Sequence, residues 1–489
     1  MKLLAAGAVV ALGLGLVLAP PADAATAARP YDFDGNGYPD LVVGAPGLRV
    51  TSVLGTGGVV VLPASARGLS LSEKIVSQSS RGLPGASETG DQFGAAVASA
   101  DFDRDGYADL AIGQPGEAAG PVAGAGAVTL VHGSPRGLDT TRSTGLGAPA
   151  GAEEGAGFGS ALVAADLDGD GFPDLAVGAP GAERDRPPDV EHRASGTVTV
   201  LRGGRSGVTA TGAVTLHRTS GAVGFGAELA AGDLDQDRVS DLVVGARGEK
   251  FVHEDGFAGS VAHCPGGTAG PAACHTLVQR DRIAGMTSLV VGNVSGDARP
   301  EVVVGASQEV EDNGGYLFLL ELQAGDPLTV ARQRELGQDS PGVPGGDEPG
   351  DEFGASLAIG DIDRDGFADL AVGTDAEDGD RGRVTVVRGG RDGFATRGNY
   401  FYDQDSAGIP GAAEAGDFFG GAVTLLDHDR DGRLDLTVGA RGENSGAGAI
   451  TTLRGSGTGF TTSGARTFGL ATLDYAHPGG ARFGADLGR

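Results

Sequence analysis

Apolar residues in this chain come in short runs cut off by glycine, proline or aspartate. "DLVVGAP" begins at Asp40, "DLAIGQP" at Asp109, "DLAVGAP" at Asp174 and "DLVVGAR" at Asp241. A second kind of run follows a glycine, as in "GAVTLVHG" (126–133), "GTVTVLRGG" (196–204) and "GRVTVVRGG" (382–390). Such runs, rich in Val and Leu and bounded by turn formers, predict strands. Past the first two dozen residues no helical period is sustained.

The runs repeat. Each "DL" run closes an acidic segment, and seven such segments begin at Asp32, Asp101, Asp166, Asp233, Asn293, Asp361 and Asp427, in steps of 60 to 69 residues. A steady period of this size predicts one repeat architecture, not a string of separate domains. A Phe-Gly pair precedes five of the segments (Phe93, Phe158, Phe225, Phe353 and Phe419), with the first acidic residue eight positions after each Phe. About four short strands fit each period, the content of a propeller blade. The first acidic segment has no Phe-Gly before it, and the last Phe-Gly, Phe483-Gly484, has no acidic segment after it. The terminal "RFGADLGR" therefore supplies the missing first strand of the blade that starts at Asp32. The expected fold is all-β: a seven-bladed β-propeller of four-stranded blades, closed by pairing of the N- and C-terminal segments, which removes exposed edges.

The stretches "FGAAVASADFDRDGYADLAIGQP" and "FGSALVAADLDGDGFPDLAVGAP" resemble FG-GAP repeats, the units of the integrin alpha-subunit β-propeller. The resemblance covers about residues 30–489. It reaches the head alone, as in secreted bacterial FG-GAP proteins, because leg domains, a membrane helix and an inserted adhesion domain find no counterpart. It implies a binding or cell-adhesion module whose partner, a protein or glycan, sits on the face opposite the acidic loops.

The acidic segments carry the candidate chemistry. In "DFDRDGYAD", Asp101, Asp103, Asp105 and Asp109 fall at positions 1, 3, 5 and 9, with Gly106 at position 6. Alternate carboxylates in a tight loop aim oxygens at one centre, and an all-oxygen donor set selects a hard cation, best calcium. The carbonyl at position 7, here Tyr107, is the further expected ligand. The other complete loops are Asp32/Asp34/Asn36/Tyr38/Asp40, Asp166/Asp168/Asp170/Phe172/Asp174, Asp361/Asp363/Asp365/Phe367/Asp369 and Asp427/Asp429/Asp431/Arg433/Asp435. Asp233/Asp235/Asp237/Val239/Asp241 keeps its acids but has Arg238 in place of glycine. The fifth copy, Asn293/Ser295/Asp297/Glu301, has lost charge and is expected to bind no ion tightly. Five or six Ca2+ sites are thus expected, stabilising the blade hairpins. An EF-hand does not fit, since position 12 is Ile112 in a strand-like run. Without a metal, the acids of one loop are expected to raise each other's pKa.

Charge and composition narrow the rest. A formal net charge of -29 argues against nucleic acid and anionic membrane. Lys2, an apolar stretch Leu3 to Leu18, and Ala22-Asp23-Ala24 read as a secretory signal cleaved after Ala24, leaving a soluble, exported domain over 25–489, expected as a monomer. In an exported chain, Cys264 and Cys274 are expected to form a disulfide. Flanking His263 and His275 also allow zinc, which no second ligand pair supports. Variable insertions at 181–196, 247–259, 307–315 and 375–382 gather at the end opposite the acidic loops, the plan of a binding face. No catalytic constellation stands out; His192 and His253 read as surface residues, and Tyr400 and Tyr402 as strand packing. The alternatives are a secreted hydrolase, since phospholipase D-type proteins also carry such repeats, and a carbohydrate-binding propeller, disfavoured by the absence of Trp.

Overall fold

The computed structural model describes residues 26–488 except 51–54, 184–194, 218–222, 249–258, 272, 281–282, 284, 298, 308–313, 474 and 476–477. The expected signal segment and most of the three longer insertions, with His192 and His253, lie outside the described residues.

Seven four-stranded antiparallel sheets form the ring. Blade 2 is representative: Ala96–Ala100, Asp109–Gln114, Ala127–His132 and Asp139–Leu146 pair in chain order. Blade 1 takes Asp486–Leu487 as its first strand, placed against Leu41–Ala45 with Val43 opposite Leu487 and Gly44 opposite Asp486. The Gly484 amide donates to the Gly44 carbonyl at 3.0 Å, and Thr424 of blade 7 reaches the Gly488 carbonyl at 2.5 Å. The ring closes as the sequence predicts.

Burial explains the sequence of each strand. The second strands, such as Leu41–Ala45, Asp109–Gln114 and Asp369–Thr374, are buried at every position, because both faces of the sheet meet neighbouring blades. They therefore read as continuous apolar runs. Outer strands such as Thr209–His217 are largely exposed or half-buried. The core is not one mass but seven apolar interfaces, one between each pair of neighbouring blades.

The Phe-Gly pair builds those interfaces. Phe93, Phe158, Phe225, Phe353, Phe419 and Phe483 are all fully buried against the blade before them. Phe93, Phe158, Phe419 and Phe483 also bridge to a glycine of the previous blade, Gly57, Gly126, Gly382 and Gly448. Two glycines make the approach possible. Gly126, at φ +81°, backs onto the Phe158 backbone, and Gly113 of the "DLAIGQP" run lies against the Gly159 carbonyl. A Cβ at either would collide with main-chain atoms that cannot move aside.

Replacing Phe483 by Ala should cost about 3–5 kcal/mol, as for a core Phe at any other interface. Chemical denaturation of this variant beside Phe158→Ala checks the closure. If the ends did not pair in solution, only Phe158→Ala would destabilise.

Candidate metal centres

In blades 2 to 7 each acidic segment joins the first and second strands, in blade 1 it leads into the second, and in each complete loop the backbone presets it. The position-1 carboxylate accepts the amide of position 6, from Gly37 to Asp32, Gly106 to Asp101, Gly171 to Asp166, Arg238 to Asp233, Gly366 to Asp361 and Gly432 to Asp427, at 2.9–3.0 Å. The position-5 side chain accepts the amide of position 7, pairing Asn36 with Tyr38, Asp105 with Tyr107, Asp170 with Phe172, Asp237 with Val239, Asp365 with Phe367 and Asp431 with Arg433, at 2.7–3.1 Å. Asp34, Asp103, Asp168, Asp235 and Asp429 cap position 5 in the same way. Arg238, at φ +75°, adopts the turn that glycine makes elsewhere, so the fourth loop keeps its shape.

Position 9 does more than face the centre. Asp40, Asp109, Asp174, Asp241, Asp369 and Asp435 open the second strands and are buried. One oxygen of each accepts the amide of Ala64, Gly133, Gly203, Gly266, Gly389 or Gly455 at 2.7–2.9 Å. These donors start the connection between third and fourth strands, so a single carboxylate ties the two turns at this end of the blade.

The loops also touch around the ring. The Ala108 amide donates to the Asp32 carbonyl, Ser240 to Asp166 and Ala368 to Asn293. The Tyr107 ring packs on Gly35 and the Phe367 ring on Gly296. Arg104 lies 5.6 Å from the Phe172 ring centre, and Arg430 lies 5.7 Å from that of Tyr38.

Carboxylate oxygens converge in Asp101/Asp103/Asp105, Asp166/Asp168/Asp174, Asp233/Asp235/Asp241 and Asp361/Asp363/Asp365, each set within 4.8 Å. Buried oxygens of Asp32, Asp233 and Asp363 have no hydrogen-bond partner. Such an arrangement could hold a cation, since an unmet buried acceptor is costly. Burial raises the pKa of Asp40 to about 7 and those of Asp174 and Asp435 to about 6, with neighbouring carboxylates adding less. The expected mutual repulsion is therefore present but second to desolvation. The fifth loop instead closes on itself: Asn293 donates to the Asp297 carbonyl at 2.6 Å, and Glu301 accepts the Val294 amide and the Ser295 hydroxyl.

A set of basic side chains escaped the sequence reading. His132 sits 3.4 Å from Asp103 and 3.2 Å from Asp109, and His263 sits 3.3 Å from Asp241. Arg202 pairs with Asp168, Arg388 with Asp363 at 3.1 Å and Asp369 at 2.7 Å, and Arg454 with Asp429 at 3.8 Å. Burial would raise Asp103, but the His132 hydrogen bond and charge bring it below the usual carboxylate range. The signal was in the sequence: His or Arg ends the third-strand runs "VTLVHG", "VTVLRGG", "VTVVRGG" and "TTLRG".

Cys264 and Cys274 form a disulfide, which closes the zinc alternative. Tyr400 and Tyr402 pack edge to face, with the Tyr402 hydroxyl on the Phe460 carbonyl at 2.9 Å.

The opposite end carries a second recurring device. Gln78, Gln338 and Gln404 each donate across a blade junction to Glu117, Glu377 and Glu443 at 2.6 Å. Asp91, Asp351 and Asp417 fold back onto the amides of Glu88, Glu348 and Glu414 at the same junctions. Of the insertions, 375–382 is described in full: Asp378, Gly379 and Asp380 turn left-handed, as do Asn444, Ser445 and Gly446 in blade 7. A cavity of about 550 Å³ opens beside the latter, lined by Phe418, Arg441, Asn444, Ser445 and Arg482 among others.

Comparison with known proteins agrees with this architecture. An FG-GAP repeat model matches residues 24–62, 93–131, 158–201, 225–264 and 353–387. Phosphatidylinositol-glycan-specific phospholipase D of Bos taurus is 33% identical over 150 residues, 30% of this chain and 18% of that protein. Integrin alpha-PS5 of Drosophila melanogaster is 38% identical over 157 residues, 31% of this chain and 14% of that one. Integrin alpha-IIb of Mus musculus is 37% identical over 158 residues, again 31% and 14%. The chain thus spans less than a fifth of the length of these relatives.

Glu377 gives a pH test outside the acidic loops. Burial raises its pKa from 4.5 to about 7, against the Gln338 hydrogen bond and the Arg383 charge. A raised carboxyl contributes stability below its unfolded pKa and loses it as pH climbs to the folded value. In chelator, the melting temperature should therefore fall between pH 5 and pH 7.5 (about the span of this titration), and Glu377→Gln should flatten that slope.

Proposed function

We propose, since the chain is an FG-GAP repeat β-propeller similar to those of integrin alpha subunits, that it is an exported, calcium-stabilised binding module. Its partner, a protein or glycan, is engaged on the face opposite the acidic loops. The observation that carries the calcium reading is the recurrence of one preset loop with converging carboxylates and orphaned buried oxygens. Positions 1, 3 and 5, the carbonyl of position 7 and the second oxygen of position 9 form the donor set in each complete loop. All donors are oxygen, which suits a hard cation that tolerates irregular geometry.

The ion's role is structural. It joins the hairpin turn to the turn between third and fourth strands that position 9 already holds. Extracellular calcium modules bind at about 10⁻⁴–10⁻³ M. At millimolar calcium the tight end of that range contributes about 1.4 kcal/mol per site by mass action. Five sites sum to about 7 kcal/mol, on the scale of a domain's net stability.

The binding role is supported by the integrin likeness and by insertions gathered at one end of a rigid ring. Export is supported by the leading segment ending at Ala24 and by the Cys264–Cys274 disulfide. Among the described residues no helix is long and apolar enough to cross a membrane. The phospholipase D likeness favours a second reading, a secreted hydrolase, over a short stretch of that protein.

Chelation should lower the melting temperature by several degrees, with recovery on adding millimolar calcium. Asp101→Asn with Asp103→Asn should remove part of that recovery; a melt indifferent to chelator would overturn the calcium reading. Pulldown from cell-surface extracts, beside phosphodiesterase and esterase assays on the same preparation, separates the two functional readings.

A further inference from the structure

Three arginines at the ends of third strands share one geometry. Arg202 pairs with Asp168 at position 3 of its own loop and donates to the Ala269 carbonyl of the next blade. Arg388 holds Asp363 and Asp369, positions 3 and 9, and donates to the Thr458 carbonyl of the next blade at 2.5 Å. Arg454 lies 3.8 Å from Asp429 at position 3 and donates to the Arg67 carbonyl of blade 1 at 3.0 Å. Each guanidinium therefore spans an acidic loop and the neighbouring blade. An arginine suits this because its planar fork carries several donors and never loses its charge.

The grip falls on oxygens that a bound ion needs. At Asp369, Oδ1 accepts the Gly389 amide, while Oδ2 takes both Arg388 and the Ile362 amide. Arg388 thus sits, with the Ile362 amide, on the position-9 oxygen that the Gly389 amide does not hold. Blade 1 has no such arginine among the described residues, and there position 5 is Asn36. The blade 3 loop has four carboxylates beside Arg202 and the blade 1 loop three carboxylates and no arginine, whereas the loops of blades 6 and 7 carry Arg364, Arg430 and Arg433 of their own besides the third-strand arginine.

We propose that Arg202, Arg388 and Arg454 are tethered counter-cations of their loops: they brace the ring when calcium is scarce and weaken calcium binding in the blades they serve. The inference rests on the calcium reading above. An incoming ion displaces the guanidinium from Asp363 and Asp369 in blade 6, so ion and arginine compete for the same carboxylates. Two unit charges at this range interact strongly where water is partly excluded.

The test uses the intact chain, Arg388→Met, Arg388→Lys and the site-deleting pair D361N/D363N, with calcium calorimetry and melting in chelator as readouts. Arg388→Met should melt lower in chelator, yet bind calcium at one site about tenfold more tightly. Arg388→Lys, which keeps the charge, should stay near the wild-type affinity. The gain should vanish when D361N/D363N is added. A merely structural arginine would lower the melt without tightening binding. Calcium uptake by the wild type with unchanged or weaker affinity in Arg388→Met would overturn the brace alone. No uptake by the wild type would overturn the calcium reading and the brace together. Should Arg388→Met fail to fold, Arg454→Met gives the same comparison at a more exposed side chain (57%), with a smaller shift of the same sign expected.

Discussion

A sheet whose two faces are both apolar is stable only while it has a neighbour on each side, and this molecule consists of seven such sheets. No blade can stand at an end of the row. The ring must close, and the pairing of Asp486–Leu487 with Leu41–Ala45 is what lets every other interface exist. The same demand fixes the residues at the contacts. Backbones of adjacent blades approach so closely that glycine is needed at Gly113 and Gly126, and a buried Phe fills the volume beside them. The "FG" and the "GA" of each repeat are therefore two sides of one junction, supplied by successive blades.

The acidic loops inherit their regularity from that frame. The complete loops are pinned from within by their own amides and from the same blade through position 9, and the loops at Asp32, Asp166 and Asn293 also from the next blade through the amide at position 8. Their carboxylates are brought together by backbone geometry, at the cost of burying charge. The third-strand Arg and His residues offset part of that cost. Protein groups answer only part of each loop: the Asn293 loop closes on itself, whereas the loops at Asp32, Asp233 and Asp361 keep a buried carboxylate oxygen without a partner.

Much of this was legible in the sequence because its signals are local. The period, the eight-residue offset from Phe to Asp and the orphaned terminal "FG" sufficed for blade number, strand order and closure. The spacing of Asp101, Asp103 and Asp105 likewise places three oxygens together, because a tight turn leaves few alternatives. What stayed hidden depends on distance through space. Arg388 and Arg454 follow their position-9 aspartates by 19 residues, Arg202 by 28, since the intervening connection varies in length. Only the hairpin register brings them over the loops. The Gln–Glu pairs join separate blades 39 residues apart. The dominance of burial over repulsion in the aspartate pKa values needed the depth of position 9, which no spacing reveals.

Closure has one more geometric result. Residue 28 hydrogen-bonds Asp101 in an acidic loop, and Gly488 ends beside Val42 and Thr424 near the same rim. Both tails thus leave from a common side of the disc. A surface or carrier coupled at either one would hold the molecule like a plate on a stalk, with the rim of Gln–Glu pairs turned outward.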